Sequence, residues 1–103
     1  MINEILTSLG MPYKETQFLR PPNKTYAVYF DDVTTDGPDG VNRIFTHNIT
    51  VEVYELSPEP TVEAALESEL NLRGIRWTKQ ARYWVQDAQR YQVIYEFSYI
   101  TKT

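Results

Sequence analysis

The sequence predicts an α+β fold: a mainly antiparallel four-stranded sheet with a short N-terminal helix and one longer helix packed on one face. Two segments have apolar residues at helical spacing, four have them at every second position, and their order is helix, strand, strand, helix, strand, strand. The 103 residues, 42% of them apolar, are enough for one core, so we expect a single domain over residues 1–103.

The two predicted helices are defined by their apolar period and their ends. Residues 2–9 form a short amphipathic helix that Gly10 ends. The longer helix has Ser57 as its predicted N-cap, Pro58 at its first position and Gly74 as its stop. Its predicted buried stripe is Val62, Ala65, Leu66 and Leu70, and its predicted exposed acids are Glu59, Glu63 and Glu67.

The four predicted strands cover residues 24–31, 43–56, 75–86 and 90–102. Matching the strand period to the helical period predicts which side chains face the long helix. They are Phe45, Ile49, Val51, Val53, Val93, Tyr95 and Phe97, against Val62, Leu66 and Leu70. His47 lies on the same strand face, and we interpret it as a satisfied or partly exposed core histidine. Ile94 and Ile100 lie on the opposite face, which indicates a second covered surface.

Charge is segregated along the chain, whose net charge is −4. Ten of its 14 acids lie within residues 31–69, where Arg43 is the only base, whereas residues 73–90 contain five bases and the single acid Asp87. The overall acidity disfavours a surface that clamps a phosphate backbone. Two interpretations of the pattern stay open: two solvated faces of a monomer, or self-association of an acidic surface with a neighbour's basic surface.

Sequence motifs exclude several classes of function. The chain has no cysteine and a single histidine, and it lacks the glycine-rich phosphate-binding motifs and the serine hydrolase motif. No apolar run is long enough to span a bilayer, and the first residues do not have the pattern of a signal peptide. We therefore expect a cytosolically made, non-enzymatic protein with no cofactor, no metal and no membrane partner.

The segment FDDVTTDGPDGVN, residues 30–42, is predicted to be an acidic loop between two strands. Its spacing does not match a calcium-binding loop, and its Gly-Pro-Asp-Gly sequence is explained by turn chemistry. With little apolar side chain to bury, we expect it to be mobile in the free protein and to contact a partner in an assembly. The predicted contact residues are Asp32, Asp36 and Asp39.

Residues 73–91 interleave cations with aromatic side chains, a mixture that could bind single-stranded nucleic acid. In the other interpretation, the aromatics are core and the cations lie along a strand edge. If the charge segregation reflects self-association, the contact residues on this side are Arg76, Lys79 and Arg82, placed against acids of the helix or loop.

The layout of the whole chain resembles a known family. From about Pro12 onward, YAVYFDDVTTDGPDGVNRIFTHNITVEVYEL, EPTVEAALESELNLRGI and WTKQARYWVQDAQRYQVIYEFSYI follow one another in an order that resembles the small tail terminator, or tail completion, proteins of long-tailed phages and prophages. The resemblance rests on this layout and on the ending YEFSY, and it transfers no residue-level site.

The resemblance implies a structural role. Such a subunit is expected to form a ring, which we expect to contain six copies. The ring would end the tail tube and join it to the head connector. Its partners would be copies of itself, the tail tube protein and the head–tail connector protein, with DNA only as passing cargo. It would be found in the host cytoplasm during assembly and then in the virion tail. The alternative class is an acidic protein-binding adaptor unrelated to phages.

Overall fold

A computed structural model describes residues 1–37 and 43–102. The helices are α1 (Ile2–Ser8) and α2 (Pro60–Leu72). The strands are β1 (Tyr13–Glu15), β2 (Tyr26–Asp36), β3 (Ile44–Glu55), β4 (Trp77–Lys79), β5 (Tyr83–Val85) and β6 (Arg90–Lys102). The fold is α+β, as predicted, but within these two ranges the sheet has six strands rather than four.

The strands are ordered β1-β2-β3-β6-β4, and β5 also pairs with β6. All the pairings are antiparallel except that of β1 with β2, so the sheet is mixed. The sequence missed β1 because three residues are too few to show a period. The predicted strand over residues 75–86 is two short strands, since the chain leaves the edge of β6 after Gln80 and pairs with it again from Tyr83.

The core lies between the two helices and one face of the sheet. Directly paired side chains of β2, β3 and β6 form rows on this face. One central row consists of Ala27, Val53 and Val93. The next row consists of Tyr29, Val51 and Tyr95. The helices cover them with Ile5, Leu6, Leu66 and Leu70, all fully buried. Val51 and Leu66 were predicted to face each other across this core, and both have 0% exposure.

Helix α2 differs from the prediction at its start and in its buried stripe. It begins at Pro60, with Glu59 at the N-cap, and it ends before Gly74, which has the positive φ of +68° expected of a helix stop. Ala65 is exposed and Glu63 is buried. The buried stripe is therefore Glu63, Leu66 and Leu70, which keeps helical spacing but includes a carboxylate.

The predicted acidic loop is mostly strand. β2 continues to Asp36, and its residues 31–36 pair with residues 44–49 of β3. The β-branched residues Val33, Thr34 and Thr35 favour an extended chain, and β3 offers a partner along this whole length. The expectation of a loop is therefore wrong for residues 32–36, their mobility in the free protein stays a prediction, and residues 38–42 lie outside the described residues.

Candidate assembly surface

At one end of the sheet, β2, β3 and β6 continue without neighbouring strands as a three-stranded extension. We call it the arm: residues 31–36, 44–49 and 98–102. Strand β1 pairs only with residues 27–29 of β2, and β4 pairs only with residues 95–97 of β6. The arm contributes to an elongated molecule of 48 × 29 × 22 Å. Within the described residues, both of its outer edges lack a neighbouring strand.

The arm exposes apolar side chains, which the rest of the sheet mostly buries. Ile100 is 58% exposed and Ile44 is 37% exposed on the face away from the helices, and Val33 is 44% exposed on the other face. Residues 16–25 partly cover the outer face at the opposite end of the sheet, where Phe18 packs edge-on against Tyr26 at 5.2 Å. The second covered surface predicted from the sequence is therefore present at the Tyr26 end of the outer face, whereas Ile100 at the other end is uncovered in the isolated chain.

His47 joins the three strands of the arm. Its Nδ1 lies 2.9 Å from a carboxylate oxygen of Asp31 on β2, and its Nε2 lies 3.0 Å from Oγ1 of Thr101 on β6. The ring stacks on Tyr99, with centroids 4.7 Å apart. His47 is half-buried and has partners on both nitrogens, in agreement with its interpretation from the sequence. The partnership with Asp31 was missed, because it depends on the register of β2 and β3.

Two of the three acidic contact residues predicted from the sequence lie on β2 in the arm, Asp32 near its start and Asp36 at its end. Asp32 and Asp36 are exposed and share the outer face of β2. Oδ1 of Asp36 accepts a hydrogen bond of 2.8 Å from the backbone N–H of Gly37, so this carboxylate caps the end of the strand. Asp39 lies outside the described residues.

Two of the three basic contact residues pair with acids of their own chain. Nζ of Lys79 lies 2.8 Å from Glu63 and 2.8 Å from Glu67. Nε of Arg82 lies 3.1 Å from Glu55, and its NH2 group also pairs with Glu63. The acidic helix and the basic segment therefore meet within one molecule.

Arg76 has different surroundings from the other two cations. Its side chain is exposed and borders a shallow depression beside Asn48, Glu96 and Ser98, at the start of the open edge of β6. It takes part in no ion pair with any residue in the described ranges. The structure thus distinguishes Arg76, which is exposed and outside these ion pairs, from Lys79 and Arg82, which pair with acids of β3 and α2.

A buried pair of carboxyl groups lies under Arg82. Glu55 has 0% exposure, and burial, together with a hydrogen bond shared with Glu63, raises its pKa to about 7. Burial alone would raise the pKa of Glu63 too, but hydrogen bonds from Glu55, Lys79 and Arg82 lower it to about 2. Glu55 is therefore mostly protonated below neutral pH while Glu63 carries the charge. The sequence predicted Glu63 on the exposed side, although its spacing from Leu66 and Leu70 already placed it on their face.

The same network limits the availability of the basic and aromatic segment to nucleic acid. Lys79 lies 5.5 Å from the ring centre of Tyr95, whose hydroxyl donates a 2.6 Å hydrogen bond to Glu67. Arg73 pairs with Glu69 on its own helix. Trp77 is half-buried and packs on the buried ring of Tyr95. The core interpretation fits Trp77, whereas Tyr83 and Trp84 are 49% and 44% exposed.

Across residues 1–37 and 43–102, neither helix has the length and apolar character needed to cross a membrane.

Comparison with known proteins gives a match in three-dimensional structure and none in sequence. No family model matches the chain, and no curated protein sequence matches it. Among solved structures, a chain of the "Virion of native gene transfer agent (GTA) particle" is similar in fold, with a TM-score of 0.60 and 13% sequence identity. The match covers 95% of this chain and 84% of that chain. At this identity it shows a shared fold.

Proposed function

We propose that this protein is a non-enzymatic structural subunit of a phage-like particle, which forms a ring that ends the tail tube and joins it to the head connector. The observation that carries the proposal is the fold shared with a virion chain over 95% of the present chain. The resemblance of the sequence layout to tail terminator proteins supports the same role.

The surface of the molecule supports assembly. A closed ring of identical subunits needs two different, complementary surfaces on each subunit. The arm offers exposed apolar side chains and two unpaired strand edges, and such features in a small protein are typical of interaction surfaces. Arg76 is an exposed cation at one of these edges.

The acidic side chains of β2 in the arm have a role in either orientation within a ring. If Asp32 and Asp36 face the lumen, their charge repels the phosphates of passing DNA and keeps the DNA from binding. If they face along the tail axis, they offer a charged surface to the tail tube protein or to the connector. The proposed partners are copies of the chain itself and these two proteins.

Deleting the coding sequence from the phage or prophage that carries it tests the function. We expect electron micrographs of the lysate to show heads without tails, together with unjoined tail tubes of uncontrolled length. Complementation with the intact gene should restore joined particles. Normal particles after deletion would contradict the proposal and would favour the adaptor interpretation, which mass spectrometry of proteins captured by the purified chain can then examine.

A further inference from the structure

The open edge of β2 presents unpaired backbone groups in a known direction. The N–H of Ala27 donates to the carbonyl of Pro12 at 3.0 Å, and the carbonyl of Tyr29 accepts from the N–H of Thr16 at 2.9 Å. Odd-numbered residues of β2 therefore direct their backbone groups away from β3. Thr16 has a φ of +72°, and β1 pairs no further than Glu15 opposite Tyr29. Beyond that point the outward backbone groups are those of Asp31, Val33 and Thr35.

The open edge of β6 is at the same end of the molecule. The carbonyl of Ile94 accepts from the N–H of Gln80 at 2.9 Å, so even-numbered residues of β6 direct their backbone groups away from β3. Strand β4 pairs no further than Trp77, opposite Phe97. The outward backbone groups beyond it are those of Ser98, Ile100 and Lys102.

We infer that the β2 edge of one copy, residues 31–36, pairs with the β6 edge of the next copy, residues 98–102, so that the arms form a sheet that is continuous between subunits. This inference rests on the proposed function and specifies its ring contact. The two edges match in length, at about 20 Å and about 16 Å for strands of six and five residues. Pairing them satisfies backbone groups that otherwise remain open to solvent.

Charge favours this pairing over two-fold pairing of like edges. The β2 edge carries exposed Asp32 and Asp36, whereas the β6 edge carries exposed Lys102 and has Arg76 beside it. Two β2 edges together would place acids against acids, and two β6 edges would place cations against cations. Joining a β2 edge to a β6 edge brings opposite charges together.

The topology also fixes the direction of the pairing. Both β2 and β6 run antiparallel to β3, so they run parallel to each other. Rotation of a copy about an axis along the strands preserves their direction, so the contact between subunits is a parallel strand pair. Like edges related by a two-fold axis perpendicular to the sheet would instead pair antiparallel.

Introduced cysteines test which edges meet, since the chain has none of its own. Thr34→Cys is combined in one chain with Ser98→Cys, Ile100→Cys or Lys102→Cys, and all four positions lie on the outer face. Within one molecule, the cysteines of β2 and β6 are separated by β3 and lie about 10 Å or more apart, too far for a disulfide. Oxidation is done in concentrated solution and in purified particles, and products are separated without reductant.

We expect at least one double variant to give a ladder of linked dimers, trimers and larger species, with each single variant staying at background. Dimers of the Thr34→Cys single variant would show that β2 edges meet each other and would overturn the inference. Rings or joined particles that form normally without any linkage in the three double variants would also overturn it, while leaving the proposed function intact. If deletion of the coding sequence leaves normal joined particles, both the inference and the proposed function are overturned.

Loss of one outward N–H gives a second readout. Val33→Pro removes a donor of the β2 edge that is unpaired in the isolated chain, and Val33→Ala is the matched control that keeps it. We expect Val33→Pro to raise the concentration for half-maximal ring assembly at least about tenfold, with Val33→Ala close to the wild type. Equal assembly of the two variants, both folded by circular dichroism, would overturn the inference.

Discussion

Strands β2, β3 and β6 pair with one another along their whole length, but their two halves differ in what covers them. In the packed half, residues 26–30, 50–55 and 90–97, the helix-facing rows of the sheet are covered by α1 and α2. In the arm, the same three strands continue without the longer helix, and only Ile49 and Tyr99 are buried. The difference teaches that β-pairing sets the length of these strands, whereas helix packing decides which part of them is core.

The largest expected difference concerns apolar truncation. Leu66→Ala leaves a cavity against fully buried neighbours, so we expect it to lower the free energy of unfolding by about 2–5 kcal/mol. Ile100→Ala in the arm removes a side chain that is already mostly in solvent, and we expect a change of at most about 0.5 kcal/mol. Urea denaturation of both variants measures the two values. Similar values would mean that the arm is packed as tightly as the core.

The basic residues give the next comparison. Arg82→Ala removes the cation paired with Glu55 and leaves Glu63 with Lys79 alone, so we expect a loss of about 1–3 kcal/mol in the free energy of unfolding. Arg76→Glu should leave the unfolding transition nearly unchanged and weaken ring assembly, with a changed dependence on salt. Thermal unfolding and native mass measurements separate the two effects. If Arg76→Glu strongly lowers the free energy of unfolding, Arg76 stabilises the folded subunit rather than a contact between subunits.

The buried carboxyl pair predicts a pH effect confined to the packed half. The raised pKa of Glu55 means that its proton stabilises the folded state fully below its unfolded pKa near 4.5, and that this contribution is lost as the pH rises through about 7. Between pH 5.5 and 8.5 we expect Glu55 to lower the free energy of unfolding by about 1–2 kcal/mol.

Glu55→Gln should remove most of this pH dependence, because a neutral amide replaces the group that ionises. The matched control is Glu96→Gln, which changes an exposed carboxylate of β6 and should keep the slope. The measurement is a series of urea transitions across that pH range. A wild-type slope retained in Glu55→Gln would assign the effect to another group.

The smallest effect is expected at the three acidic residues of the predicted contact surface. Replacing Asp32, Asp36 and Asp39 by Asn should change the midpoint of thermal unfolding little, since Asp32 and Asp36 are exposed and Asn can keep the strand-end cap. Head–tail joining or DNA passage should nevertheless be impaired, as counted in joined particles. A large loss of stability would show that the carboxylates serve the fold rather than an assembly.

Much of the fold followed from the sequence, because periodicity records which side chains share a face. It placed Val51 and Leu66 in one core and Gly74 at a helix end, and both positions are confirmed. It did not find β1, whose three residues show no period and which is defined only by its pairing with β2. It also interpreted residues 32–36 as a loop, because a polar, acidic segment lacks the alternation that marks a half-buried strand.

The sequence by itself determined the fold class, the buried faces of β3 and β6, and the separation of acidic from basic segments. Only the tertiary structure decided which charges neutralise each other. Lys79 and Arg82 meet Glu55, Glu63 and Glu67 because the antiparallel edge of β6 places residues 79–82 beside α2. An ion pair depends on a distance of a few ångströms between residues far apart in sequence, and the order of charges along a chain does not specify that distance.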